Sequence, residues 1–445
     1  MDLIGFLPQA GSLAWTVASF IVALSIIVFV HEYGHYIVGR WTGIHAEVFS
    51  LGFGPVMFAR TDRRGTRWQL AAIPFGGYVK FMGDADAASG KDGAAIATLS
   101  AGDRRATMHG APLWARAATV AAGPIFNFVL TFLIFIAVLQ WTGVGSDAPV
   151  VGEVQSGAWD GPNLQPGDRV ISVAGTPTPD SEALFTTVAD LPPSKSVSYQ
   201  VERAGKVITI DGPYPFPPLV SSVQTKSAAL NAGLKAGDVI LAVGDTPVTA
   251  FSELPALVEA TAGAPLTLTV WRAGETFQTE LTPRRRDLPR AEGGFETRWL
   301  IGLSGAPLFA PELRHPGLVE TVSLSAQQTW NIAATSLSAL WHIATGAIST
   351  CNLSGPIGIA EVMGDAARSG VESFVMMLAV LSVGIGLMNL FPIPVLDGGH
   401  LVFHAYEAIT RRPPSDGVMR VMMGTGLVLI LSLMFFGLTN DLFCV

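Results

Sequence analysis

The chain has 445 residues, 49% of them hydrophobic and 14% charged, with a mean hydropathy of +0.44. That balance exceeds what a soluble core requires and predicts an integral membrane protein. A net charge of −8 excludes the basic surface a nucleic-acid partner demands, and two cysteines, Cys351 and Cys444, exclude a disulfide framework or a Cys-rich zinc site.

The first element is an uncharged run from Leu3 to Val30, longer than the roughly 20 residues that cross about 30 Å of hydrocarbon. No Lys or Arg precedes it, so it reads as a retained span and not a secretion signal. The run leads into His31-Glu32-Tyr33-Gly34-His35, placing this pentapeptide at the end of the expected span. On a helix two histidines four positions apart share one face, and a Glu beside the first can take the proton from an attacking water. With only 8 His in the chain, chance would produce the pattern on the order of 1% of the time. Metal-assisted peptide hydrolysis is therefore the expectation.

Between His45 and Met82 alternating apolar residues and glycines, with Leu51-Gly52-Phe53-Gly54-Pro55 and Phe75-Gly76-Gly77-Tyr78, predict a β-hairpin or small sheet. Its edge could receive an unwound substrate strand. Asp84 to Ala101 reads as a loop. Uncharged runs from Ala117 to Gly145, Ser373 to Leu396 and Val421 to Asn440 predict three more spans. Ten Lys or Arg from Arg40 to Arg116, and Arg411, Arg412 and Arg420 before the last span, place those loops in the cytoplasm. Both termini and the insert from about 146 to 372 then lie on the other side, where Cys351 and Cys444 could form a single bridge.

The insert repeats itself. Val151-Gly152-Glu153-Val154-Gln155 echoes Val220-Ser221-Ser222-Val223-Gln224, and Pro166-Gly167-Asp168-Arg169-Val170-Ile171 echoes Ala236-Gly237-Asp238-Val239-Ile240-Leu241. Two small β-rich modules are implied. Gly233-Leu234-Lys235-Ala236-Gly237-Asp238-Val239-Ile240 resembles the Gly-Leu-x-x-Gly-Asp-x-Ile segment of PDZ domains, and the first copy is looser, with Asn163-Leu164. Such modules take an extended peptide or act as spacers. Val322 to Ala347, with Trp330 and Trp341, predicts amphipathic interfacial helices.

A catalytic zinc commonly has three protein ligands. The third uncharged run ends Asn389-Leu390-Phe391-Pro392-Ile393-Pro394-Val395-Leu396-Asp397-Gly398-Gly399, where two prolines break the helix ahead of a carboxylate. Non-helical backbone at that depth is tolerated only where it is buried or lines a wet cavity, so Asp397 is the expected third ligand. The alternative is a helix cap at Gly398. His400 and His404 are also four apart but lack the Glu, and read as packing residues or as residues that support the ligands from behind. His45, His109, His315 and His342 have no ligand spacing.

The pentapeptide at a first span, the distal Asn-Leu-Phe-Pro-Ile-Pro-Val-Leu-Asp-Gly-Gly and the tandem repeats between them together resemble the site-2 protease family of intramembrane metalloproteases. The resemblance implies Zn²⁺ held by His31, His35 and Asp397, with Glu32 as general base and Asn389 orienting substrate. It also implies a membrane-associated loop at Gly52, Phe53 and Gly54 that receives the substrate strand. Gly123-Pro124-Ile125-Phe126-Asn127 looks like a family signature in the second span. Implied substrates are single-span membrane proteins already shortened by an upstream first-site protease, such as an anti-sigma factor, and remnant signal peptides. The implied home is the bacterial inner membrane, with the site near the cytoplasm and the PDZ-like pair outside as a size filter.

The expected fold is thus an α-helical polytopic membrane protein of four spans, with a β-hairpin and two β-rich PDZ-like domains between spans two and three. Its divisions are 1–40, 41–114, 115–145, 146–214, 215–310, 311–372, 373–404 and 405–445. Two rival functions remain at this point: a PDZ-based membrane scaffold without catalysis, and a membrane-anchored metallopeptidase acting on soluble peptides.

Overall fold

The computed structural model describes residues 3–85, 98–159, 164–224, 227–289 and 295–443. The chain divides into two compact units. One comprises Met1–Val138, Leu318–Ile343 and Thr350–Val445, and the other Leu139–Gly317 and Ala344–Ser349.

In the first unit α1 (Leu3–Trp41) runs as a single helix through the uncharged segment and onward through His31 and His35. The pentapeptide lies inside the helix and not at its end, because no proline interrupts the residues from Val30 to Trp41. Gly34 and Gly39 sit where neighbours press close: a Cβ at 39 would lie 2.6 Å from the Phe81 ring. The segment from Asp84 to Ala101 falls largely outside the described residues.

β1 (Ala46–Thr61) and β2 (Arg67–Phe81) form the expected small sheet. Its register folds each long strand on itself. Phe49 pairs with both Val79 and Trp68, and Arg60 also pairs with Trp68. Segments 77–81, 46–51, 67–70 and 58–61 therefore lie side by side. β1 turns at Gly52 and Gly54, with φ of +90° and +82°, a region in which a side chain is strained. Asp62 anchors the sheet to α1, accepting hydrogen bonds from Trp68 Nε1 (3.2 Å) and the Tyr36 hydroxyl (3.4 Å). Tyr36, Phe49, Val79 and Phe81 share a core with Ala115 and Val120 of α2 (Leu113–Thr142).

After the insert, α3 (Leu318–Ala344) is one helix where the sequence predicts interfacial helices, with Trp330 and Trp341 exposed and Ala333 packed near Val383 and Leu387. α4 (Pro356–Arg368) has its N-terminal N–H groups capped from afar: Asp441 accepts from Gly355 (2.9 Å), Ile357 and Gly358 (both 3.0 Å). Cys351 is disulfide-bonded, and Cys444 lies outside the described residues. α5 (Val371–Leu390) stops six residues before the uncharged run does. Pro392 holds Phe391 in extended backbone, and the chain re-enters a helix as α6 (Asp397–Thr410), followed by α7 (Asp416–Phe443). Helical stretches Leu13–Trp41, Leu113–Thr142, Val371–Leu390 and Gly417–Phe443 are long and apolar enough to cross a membrane, at the four places the uncharged runs predict.

In the second unit the two repeats build sheets of the same order. Thr176–Pro177, Arg169–Val173, Val197–Arg203 and Lys206–Gly212 make one, and Thr246–Pro247, Val239–Val243, Leu266–Arg272 and Glu275–Leu281 the other. The return chain closes both copies: Leu303–Gly305 pairs with Val220–Val223, and Phe309–Pro311 with Val151–Val154. Asn163 of the looser first copy lies outside the described residues, whereas Leu164 is buried in that copy's core.

Each Gly-Asp turn hides its carboxylate. Asp238 accepts from Arg272 Nε (2.6 Å), Arg272 Nη2 (2.7 Å) and the Lys235 N–H (2.8 Å), and Asp168 is matched by Arg203 and Gln165. Both arginines precede an Ala-Gly turn whose two residues have positive φ, the backbone of a tight hairpin. Burial alone would raise the Asp168 carboxyl, but the Arg203 fork and the Gln165 N–H outweigh it and hold it below its ordinary value. Its stabilising contribution is therefore full above the unfolded carboxylate's value of about 3.9 and is lost as pH falls from there through the folded value.

Replacing Asp238 with Ala removes three bonds to a fully buried carboxylate. We expect this to destabilise the second copy by about 2–3 kcal/mol. Amide hydrogen exchange in Val239–Val243 should accelerate by about 30- to 150-fold, while Arg169–Val173 is unaffected.

Candidate metal centre

α1 carries His31 and His35 one turn apart, and the opening of α6 brings Asp397 to the same point. His31 Nε2 lies 3.2 Å from His35 Nε2 and 3.0 Å from Asp397 Oδ2, and His35 Nε2 lies 3.5 Å from Asp397 Oδ1. Among the described residues these three form the group able to hold a metal ion. Asp397 is the first residue of α6, not its cap: Leu396 holds the N-cap position and no side chain caps the helix, so the cap reading fails and the carboxylate faces the histidines.

The donor set fits zinc. Bonds of about 2.0–2.1 Å in a tetrahedral site set neighbouring donors about 3.3 Å apart, and the three separations fall around that value. Asp397 Oδ2 is buried and, although close to His31, receives no aligned hydrogen bond, which leaves its lone pairs available. His31 is 8% exposed and lies inside the helical stretch Leu13–Trp41 that is long and apolar enough to cross a membrane.

The site exists because backbones approach closely. A Cβ on Gly123 of α2 would overlap His35 Nε2 and lie 2.8 Å from His31 Nε2, and one on Gly34 would lie 2.6 Å from the Ala122 carbonyl. Gly398 and Gly399 let α6 start against the Leu390, Phe391 and Ile393 carbonyls. The outer ring nitrogens also find partners: His35 Nδ1 lies 2.8 Å from the Thr119 carbonyl and His31 Nδ1 lies 3.2 Å from Asn127 Nδ2.

β2 covers Glu32. A Cβ at Gly77 would lie 3.1 Å from Glu32 Cγ, and Gly77 pairs with Leu51, one residue before Gly52. Phe53 stacks on Tyr78 with ring centroids 6.0 Å apart. The loop at Gly52, Phe53 and Gly54 thus belongs to the sheet that touches Glu32, without reaching the three donors itself. Asn389 sits half-buried in the last turn of α5, where its Nδ2 donates to the Ile385 carbonyl (3.0 Å). It makes no hydrogen bond to His31, His35 or Asp397. The sequence reading gave no role to Asn127, Thr119 or Gly77, although Asn127 and Gly77 lie in motifs it singled out.

Residues 19–433 match the model of peptidase family M50. The chain belongs to that family. A protein of Agrobacterium fabrum named as a zinc metalloprotease is 36% identical, over 98% of each chain. One of the same name from Mesorhizobium japonicum is 35% identical over 96% of this chain and 98% of its own. The regulator of sigma-E protease RseP of Salmonella typhimurium is 33% identical over 97% of this chain and 99% of its own. A solved PDZ domain of an SdrC-like protein from Listeria monocytogenes covers 22% of this chain at 16% identity, with a TM-score of 0.17 that carries no weight. This member of M50 is a zinc metalloprotease of the site-2, intramembrane type, and the scaffold reading gives way to that.

Proposed function

We propose that the chain hydrolyses peptide bonds within the membrane-spanning segment of single-span proteins already trimmed by a first-site protease. An anti-sigma factor is the leading substrate, and remnant signal peptides are a second class. What supports the reading is the convergence of His31 and His35, inside a helix long and apolar enough to cross a membrane, with Asp397 at the opening of α6.

In this reading His31, His35 and Asp397 hold Zn²⁺, which when bound polarises a carbonyl and makes a water more acidic. Glu32 takes a proton from the attacking water on its carboxylate and hands it to the departing amide nitrogen. A helical substrate keeps its carbonyls in internal hydrogen bonds and must unwind first. The sheet bearing Gly52, Phe53 and Gly54 supplies an edge for the unwound strand, and Asn389 orients it. The protein resides in a bacterial inner membrane with the site near the cytoplasmic face. The two PDZ-like modules, 146–214 and 215–310, lie outside and sieve substrates by size.

The test is cleavage by purified protein in detergent of a tagged single-span substrate, presented with and without its outer domain, beside a soluble peptide of the same sequence. A cut inside the span of the trimmed substrate alone is expected. Equal cleavage of the soluble peptide would overturn the intramembrane reading.

A further inference from the structure

The two histidines meet through their Nε2 atoms, so each Nδ1 points outward to whatever fixes the ring. For His35 that partner is the Thr119 carbonyl at 2.8 Å. A carbonyl only accepts, so Nδ1 carries the proton and Nε2 keeps the lone pair a metal ligand needs. For His31 the partner is the Asn127 amide, 3.2 Å away through Nδ2, on a side chain with no solvent exposure.

With Nδ2 as donor, His31 Nδ1 would be the acceptor and its proton would sit on Nε2, the atom turned toward Asp397. That is the wrong tautomer for a ligand. Amide oxygen and nitrogen exchange places by a half-turn, and their assignment follows the hydrogen-bond network. Nothing else holds this amide: Asn127 Oδ1 is buried with no donor, and the one hydrogen bond of Nδ2 is to His31. The backbone is fixed separately, since the Ser382 hydroxyl donates to the Asn127 carbonyl (2.9 Å).

We propose that Asn127 presents Oδ1 to the Nδ1–H of His31 and is a positioning residue that sets His31 in its zinc-binding tautomer, as the Thr119 carbonyl does for His35. The inference rests on His31, His35 and Asp397 being the ligands. Its signature is zinc affinity that follows the acceptor at position 127 and not the packing there.

The experiment is zinc affinity of the purified full-length protein, by competition with a chromogenic chelator, for wild type, Asn127→Leu, Asn127→Asp and His31→Ala. Leu fills the space without an acceptor, and Asp restores one at nearly the same size. Asn127→Leu should weaken zinc binding about 10- to 100-fold, with Asn127→Asp near wild type. If Asn127→Asp does not fold, imidazole nitrogen NMR of metal-free, histidine-labelled wild type reads the tautomer directly: a His31 proton on Nδ1 is expected, and one on Nε2 would overturn the proposal. Wild-type affinity in Asn127→Leu alongside a large loss in His31→Ala would overturn the role of Asn127 and leave the ligand set standing. Equal losses in Leu and the acceptor variant would overturn it too, since packing alone would then explain them. Wild-type affinity in His31→Ala would instead remove the ligand assignment itself.

Discussion

Glu32→Gln is expected to bind zinc as wild type does and to cleave its substrate at least about 100-fold more slowly, the lower range of what a positioned general base contributes. Gln keeps the size of the side chain and its contact with β2, where the Gly77 backbone lies against Glu32. What it loses is the ability to hold a proton between water and the departing nitrogen. Because Glu32 is not one of the three converging donors, metal content should not change. Zinc measured by atomic absorption and cleavage of a tagged single-span substrate, on the same preparation, separate the two effects. Normal turnover by the variant would remove Glu32 from the chemistry, and loss of zinc would make it structural.

The parts of this centre written within one helix were legible in the sequence. Spacing places His31 and His35 on one face, and uncharged runs mark the spans, because both depend on neighbours a few residues apart. The place of Asp397 beside the histidines was legible for a different reason: Pro392, Pro394, Gly398 and Gly399 announce a break after an apolar helix, and non-helical backbone at membrane depth is tolerated only where it is buried or lines a cavity. Where helices end was less legible. Charge patterning stops at Val30 although α1 continues to Trp41, and it continues to Leu396 although α5 stops at Leu390. The partners across helices were not legible at all. Asn127 and His31 are separated by 96 residues, and Thr119 and His35 by 84. Periodicity says which side of a helix is buried, not which residue of another helix lies opposite. Arg203 and Arg272 escaped notice similarly, although Arg-Ala-Gly recurs at 203–205 and 272–274 and could have extended the repeat.

Gly123→Ala tests whether the crossing of α1 and α2 holds the centre together. Its single added carbon would overlap His35 Nε2, lie 2.5 Å from His35 Cε1 and 2.8 Å from His31 Nε2. The helices cannot easily separate to make room, because Gly34 is set against the Ala122 carbonyl and Phe126 by the same close approach. The imidazoles must then swing away from Asp397, and the 3.0–3.5 Å separations that suit one ion are lost. Zinc affinity should fall at least about 100-fold, the upper range for disturbing a ligand's partners, and cleavage should disappear with it. Helix content by circular dichroism should stay unchanged. Gly384→Ala is the control: it is another glycine in a spanning helix, α5, but a Cβ there meets nothing within 4 Å, so zinc and cleavage should remain as in wild type. If Gly123→Ala binds zinc and cleaves like Gly384→Ala, the close approach at Gly123 is incidental and the three donors are held by α1 and α6 alone.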